Sequence, residues 1–144
     1  MTQVDFYILN DSKPQAGALF ACRITEKAYK KGHRVYINVA SDQQLKQLDD
    51  LLWTFRDGSF LPHALYKEGD TKESGNTPIL LGHGIEPEEA SDVLVNLSGD
   101  VPSFFSRFSR VAELVAGDDA QRAAARARYT FYRDRGYTLN THKQ

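Results

Sequence analysis

Apolar and polar positions along this chain switch repeatedly between strand-like runs and helical spacing. Val4 to Leu9 is a short apolar run of β-formers closed by Asn10-Asp11-Ser12, which predicts a buried first strand. From Pro14 to Lys31, the residues Leu19, Cys22, Ile24, Ala28 and Tyr29 recur at helical intervals between charges. Gly32 then supplies a stop, after two lysines suited to the negative end of a helix dipole. Val35, Ile37 and Val39 predict a second strand over Arg34 to Ala40. Ser41 suits an N-cap and Asp42 a first turn, before a helical stripe of Leu45, Leu48, Leu52 and Phe55. Residues 67–77 are polar and contain glycines, and read as a surface loop. Pro78-Ile79-Leu80-Leu81 predicts a third strand and Asp92 to Leu97 a fourth. Arg110 to Val115 alternates weakly and fits a fifth strand or the end of a helix from Pro102. Asp118-Asp119 opens a last helix that runs to about Arg135 and stops at Gly136.

Strands alternating with helices in this order indicate an α/β layered domain. Parallel pairing with right-handed crossovers puts helices on both faces of a mostly parallel sheet. At 144 residues, one domain over 1–144 is the expected organisation. The lone Cys22 permits no disulfide within the chain, fits a reducing compartment and reads as a small buried hydrophobe on the first helix. Met1 to Asp5 lack a basic stretch leading into an apolar run, and no segment approaches the ~20 apolar residues of a membrane span. The expected location is therefore the cytoplasm, without membrane contact.

Charge changes this ordinary picture. From Ala120 to Gln144 there are six bases and one acid, a net +5, while residues 1–119 hold 12 bases and 18 acids, a net −6. Within the basic segment, Arg122, Arg126, Tyr129 and Arg133 share one helix face by their spacing. Guanidinium groups around an aromatic ring suit an acidic, partly apolar peptide or a nucleic-acid strand. Ala120, Ala123, Ala124, Ala125 and Ala127 predict close approach of the same helix to the sheet.

Catalytic patterns are missing. Asn10 to Gly17, after the first strand, contains no G-x-G-x-x-G, and no G-x-x-x-x-G-K-[ST] occurs anywhere. Gly82-His83-Gly84 is followed by Glu86, Glu88 and Glu89, which would repel phosphate, so it reads as a turn. The histidines His33, His63, His83 and His142 lack ligand spacing for a metal. No G-x-S-x-G elbow is present, and no carboxylate shows the apolar surroundings that catalysis would need. The sequence thus predicts neither cofactor, metal nor catalytic residue. Trp53, beside the core stripe, and Phe60-Leu61-Pro62, in a Pro-limited segment, fit either the rim of the core or an exposed aromatic pair for a protein partner.

Several blocks together resemble the chi subunit of bacterial DNA polymerase III holoenzyme. They are Val4-Asp5-Phe6-Tyr7-Ile8-Leu9, Leu48 to Trp53, Ser59-Phe60-Leu61-Pro62-His63, and Ala125 to Thr141 with its Arg-x-Arg-Tyr and Leu-Asn-Thr elements. The resemblance runs over essentially the whole length. It implies a Rossmann-like fold without a nucleotide site, and a non-catalytic accessory subunit of a bacterial replicase. It implies pairing with the psi subunit, and through psi with the clamp-loader complex, at Trp53, Phe60, Leu61 and Pro62. A repair helicase is a further candidate for that surface. It also implies binding of the acidic C-terminal tail of single-stranded-DNA-binding protein. There Arg126 is central, Tyr129 and Arg133 flank it, Val115 lines an apolar pocket and Arg122 attracts upstream acids. Thr130 stands where the family often has lysine, which should weaken the salt-sensitive part of binding. DNA would be contacted only indirectly. The alternative is direct single-strand binding by the basic helix, with Tyr129 as a stacking platform.

Overall fold

The computed structural model describes residues 2–10, 13, 15–58, 60–67, 77–87 and 92–144. Its elements in chain order are β1 (Gln3–Ile8), α1 (Ala16–Lys30), β2 (Val35–Asn38), α2 (Asp42–Thr54), β3 (His63–Leu65), β4 (Ile79–Gly82), β5 (Val93–Asn96), a 3-10 turn (Phe105–Arg107), β6 (Arg110–Val115), α3 (Asp119–Asp134) and β7 (Thr138–Lys143). The strands form one seven-stranded sheet in the order β3-β4-β2-β5-β6-β1-β7. Every pairing is parallel. The expected mostly parallel sheet is thus entirely parallel among the described residues.

Central strands are buried on both faces, which is why β2, β4 and β5 read as near-continuous apolar runs rather than alternating ones. On one face, α1 and α2 bring Ala21, Cys22, Leu45, Leu48 and Leu52 against Ile37, Leu81 and Val95. Burying a leucine such as Leu48 or Leu52 stabilises the fold by ~2 kcal/mol. Cys22 is fully buried, and that burial pushes its thiol up to about 12, so it packs as a hydrophobe as the sequence predicts. On the other face, Phe104, Phe105, Phe108, Ala125 and Tyr132 cover Val4, Phe6, Leu94 and Val111.

The predicted caps hold. The Ser41 hydroxyl accepts from the Gln44 N–H, and the Asp118 carboxylate accepts from the Gln121 N–H. Gly136, with φ of 81°, takes the left-handed conformation that ends α3. Arg110 to Val115 is a strand, not a helix, and it lies between β5 and β1. Two strands, β3 and β7, are additional to the sequence reading, and they are the two edges of the sheet. Most of the predicted 67–77 loop lies outside the described residues.

Candidate partner-binding edges

The β7 edge is built on α3. Its buried side carries Ala125, Arg128 and Tyr132. Of the alanines expected to approach the sheet, only Ala125 does; Ala120, Ala123, Ala124 and Ala127 are exposed. Contact with the sheet is made instead by two large polar side chains that meet a buried carboxylate. Glu113, fully buried on β6, accepts from Arg128 Nε at 3.0 Å, from the Tyr132 hydroxyl at 2.7 Å and from Asn96 Nδ2 at 3.0 Å. Arg128 Nη1 also donates to the Gly99 carbonyl at 2.9 Å. Burial pushes the Glu113 carboxyl up, against the opposing pull of Arg128, Tyr132 and Asn96. Glu113 is thus a buried carboxylate with polar partners, an internal tie that fixes the rotation of α3 on the sheet.

That rotation decides which arginines face solvent. Arg128 is consumed internally, while Arg122, Arg126 and Arg133 are exposed. Arg122 and Arg126 form no side-chain hydrogen bond or ion pair among the described residues. Arg133 makes only a solvent-exposed pair with the adjacent Asp134 at 3.3 Å, a contact of little strength. Arg135 lies 3.5 Å over the Phe131 ring and is turned away from the other three. Tyr129 is half-buried, its ring edge-on to Phe6 at 5.3 Å. Val115 is buried in the same cluster, and Thr130 is exposed. The predicted group of Arg122, Arg126, Tyr129 and Arg133 does share one flank of α3. Tyr129 on that flank touches β1, whereas Arg128 and Phe131 on the opposite flank touch Gly99 and Phe105. The arginine flank consequently points toward β7.

Under this edge, Asp5 joins three strands. Its carboxylate takes Arg110 Nη2 at 2.9 Å from β6 and lies 3.1 Å from His142 Nε2 on β7. Burial raises the Asp5 pKa, but hydrogen bonds from His142 and Arg110, with the charge of Arg110, outweigh it and hold the group below the usual carboxylate range. His142 also stacks on Tyr7 at 4.7 Å.

The β3 edge is apolar. Trp53 near the end of α2 is 53% exposed and Phe60 is 83% exposed, so of the two readings open to the sequence the exposed one describes these rings and core burial does not. Pro62 is exposed as well. Leu61 is only 3% exposed and packs into the α1–α2 core, so it supports the edge from below. The His63 ring lies under Trp53 with centroids 4.2 Å apart. His63 Nδ1 lies 2.7 Å from the Leu61 carbonyl. Its Nε2 is 3.2 Å from Asp49 Oδ1, yet is not aligned for a hydrogen bond.

A cleft of about 1140 Å³ opens at the carboxyl ends of the strands, between Gln44 and Leu48 on one side and Gln121 and Arg128 on the other. Parallel α/β sheets commonly bind ligands at this place. Here the segment after β1 supplies Lys13, Gln15 and Gly17 in place of a glycine-rich phosphate loop, and Asp50 and Asp118 also line the cleft. No group of three or more His, Cys, Asp or Glu side chains suited to a metal occurs among the described residues. No described helix is long and apolar enough to cross a membrane.

The fold is an α/β layered domain with exposed aromatic rings at one edge of its parallel sheet and exposed guanidinium groups at the other. The model of the family "DNA polymerase III chi subunit, HolC" matches residues 1–140, and the chain belongs to that family, a replication accessory subunit of bacteria. It is 43% identical to DNA polymerase III subunit chi of Pseudomonas aeruginosa, over 99% of this chain and 97% of that one. Its identity to the chi subunit of Haemophilus influenzae is 31%, over 94% and 93% of the two chains. With that of Escherichia coli it is 30%, over 98% and 97%. Among solved structures it resembles T4 UvsW with a TM-score of 0.72 at 10% identity, covering 99% of this chain and 41% of that one. It resembles S. cerevisiae Dbp5 bound to RNA and ADP BeF3 with a TM-score of 0.64 at 14% identity, over 98% and 41% of the chains. At such identities these likenesses show a shared Rossmann-like fold alone.

Proposed function

We propose that this chain is a non-catalytic adaptor with one partner at each edge of its sheet. The β7 edge takes the acidic C-terminal tail of single-stranded-DNA-binding protein, and the β3 edge takes psi, which carries the chain to the clamp loader. The observation that carries the reading is the state of Arg122 and Arg126. Two guanidinium groups stand exposed and unpaired beside the half-buried Tyr129 while their neighbour Arg128 is locked inside. Arg126 is suited to grip a terminal carboxylate with two parallel hydrogen bonds. Tyr129, with Val115 beneath, flanks the space for a terminal aromatic ring. Arg122 and Arg133 draw in upstream acids and mainly raise the association rate.

At the other edge, Trp53, Phe60 and Pro62 present the aromatic surface that a protein hot spot needs. A repair helicase is a competing partner for the same surface. The bacterial cytoplasm, where the replicase works, is the place this reading assigns to the chain. Tyr129 is a poor platform for a nucleic-acid base, because its ring is half-buried against Phe6. Direct single-strand binding is therefore the weaker reading.

The test is a pull-down with intact single-stranded-DNA-binding protein and with a version lacking its last few residues, paired with calorimetry on Arg126→Ala. Capture of the intact protein alone, lost in the variant, is the expected result. Equal capture of both versions removes the tail site.

A further inference from the structure

The tail reading leaves one feature of the β7 edge unused, its backbone. β7 is six residues long, and among the described residues no strand pairs with its outer side. Backbone groups of a strand residue point to one side, and the side alternates along the strand. The Gln144 N–H donates to the Ile8 carbonyl on β1 at 2.9 Å, so Gln144 points inward. By the same alternation Thr138, Asn140 and His142 point to β1, and Leu139, Thr141 and Lys143 turn both N–H and C=O outward. These outward residues pair in register with Val4, Phe6 and Ile8, so their side chains lie on the sheet face that α3 covers. The arginine flank of α3 overhangs the same edge.

Proteins usually blunt a free edge with proline, a bulge, a very short strand or charged side chains. β7 has neither proline nor left-handed residue, and its one lysine, Lys143, is its last residue. The opposite edge, β3, is three residues long and follows the blunting rule. Arg122, Arg126 and Lys143 also stand exposed at the long edge, without a hydrogen bond or ion pair among the described residues. An extended segment lying ~4.8 Å beyond β7, one strand spacing out, would have its main chain paired. Its acidic side chains would lie under the arginines.

We infer that the acidic peptide binds by strand addition. It becomes an eighth strand on β7, held main chain to main chain by Leu139, Thr141 and Lys143, with Lys143 as a further charge contact. This rests on the tail reading above. It adds that affinity depends on the backbone of β7 as well as on arginine side chains. It also implies selection for extended peptides without proline at the inward-facing positions.

The test uses amide hydrogen exchange on the full ¹⁵N-labelled chain. The probe is a synthetic peptide of acidic residues ending in phenylalanine with a free carboxylate. At saturation, the Leu139, Thr141 and Lys143 amides should slow by about tenfold or more, while those of Thr138, Asn140 and His142 stay at their already slow rates. Thr141→Pro removes one outward N–H at a position where an edge strand tolerates proline. It should fold and lose about tenfold in affinity, with Thr141→Ala binding nearly as the parent does. Saturable binding with unchanged outward amides overturns strand addition and leaves the tail site standing. Absence of binding overturns both.

Discussion

The two edges of the sheet present opposite chemistry and are braced in opposite ways. At the β3 edge the outward groups are Trp53 and Phe60, and the bracing is by packing, with the His63 ring stacked under Trp53 and Leu61 set into the α1–α2 core. At the β7 edge the outward groups are arginines, and the support is polar. Glu113 ties α3 to the sheet, and Asp5 ties β7 to β1 and β6. A surface of loose aromatic rings tolerates small shifts in its bed. A guanidinium that must meet a carboxylate head-on depends on a fixed helix rotation, and a buried ion pair supplies that directionality at a cost in desolvation.

This contrast can be broken at its strongest point first. Glu113→Ala leaves Arg128 charged and buried without its acceptor, and should destabilise the chain by about 3–5 kcal/mol in urea unfolding. A loss below about 1 kcal/mol would show that the network does not brace α3. Next, Arg126→Ala should cost tail-peptide affinity about 2–3 kcal/mol by calorimetry and leave psi binding alone. Equal affinities would move the carboxylate site elsewhere. Phe60→Ala is the mirror experiment. It should weaken psi binding by about 2 kcal/mol and shift stability by no more than about 0.5 kcal/mol, since the ring is mostly in water. Unchanged co-elution with psi would clear that surface of the role. Raising salt sharpens the comparison further, because tail binding should weaken steeply between low and physiological salt while psi binding barely moves.

The smallest effect concerns acid. Asp5 has a folded pKa below its unfolded value of ~3.9, so its contribution is present above that value and is lost as pH falls through the folded pKa. Thermal melts of Asp5→Asn should start lower at neutral pH and fall less than the parent's below pH ~4. Parallel curves would mean that other carboxylates govern the acid limb.

Most of the central sheet and all three helices were legible in the sequence, because buried parallel strands and amphipathic helices carry strong apolar patterns. The edges were not. His63-Ala64-Leu65 is too short to show a period, and Thr138 to Lys143 contributes one large apolar residue, Leu139, to a half-solvated face. The arginine flank could be read from spacing alone, whereas the place of Trp53 beside the α2 stripe fits core rim and open surface equally. The inward turn of Leu61 could not be read, because an extended segment beside a proline carries no phase. The role of Glu113 is hidden for a different reason. It interrupts an apolar strand and makes Arg110 to Val115 alternate weakly, and only a partner far along the chain explains it. The available signal was Arg128 and Tyr132, spaced i and i+4 on α3, at the phase that faces the sheet.

The order of the strands sets a timetable for synthesis. β1 leaves the ribosome first, but its two neighbours in the sheet are β6 and β7, the last strands made. A nascent chain therefore carries β1 unmatched until β6 and β7 have been made. Any product cut short before β7 exposes the side of β1 that β7 would cover. That uncovered strand edge, with its unpaired backbone groups, is a simple cue by which proteases could tell the truncated product from the finished one.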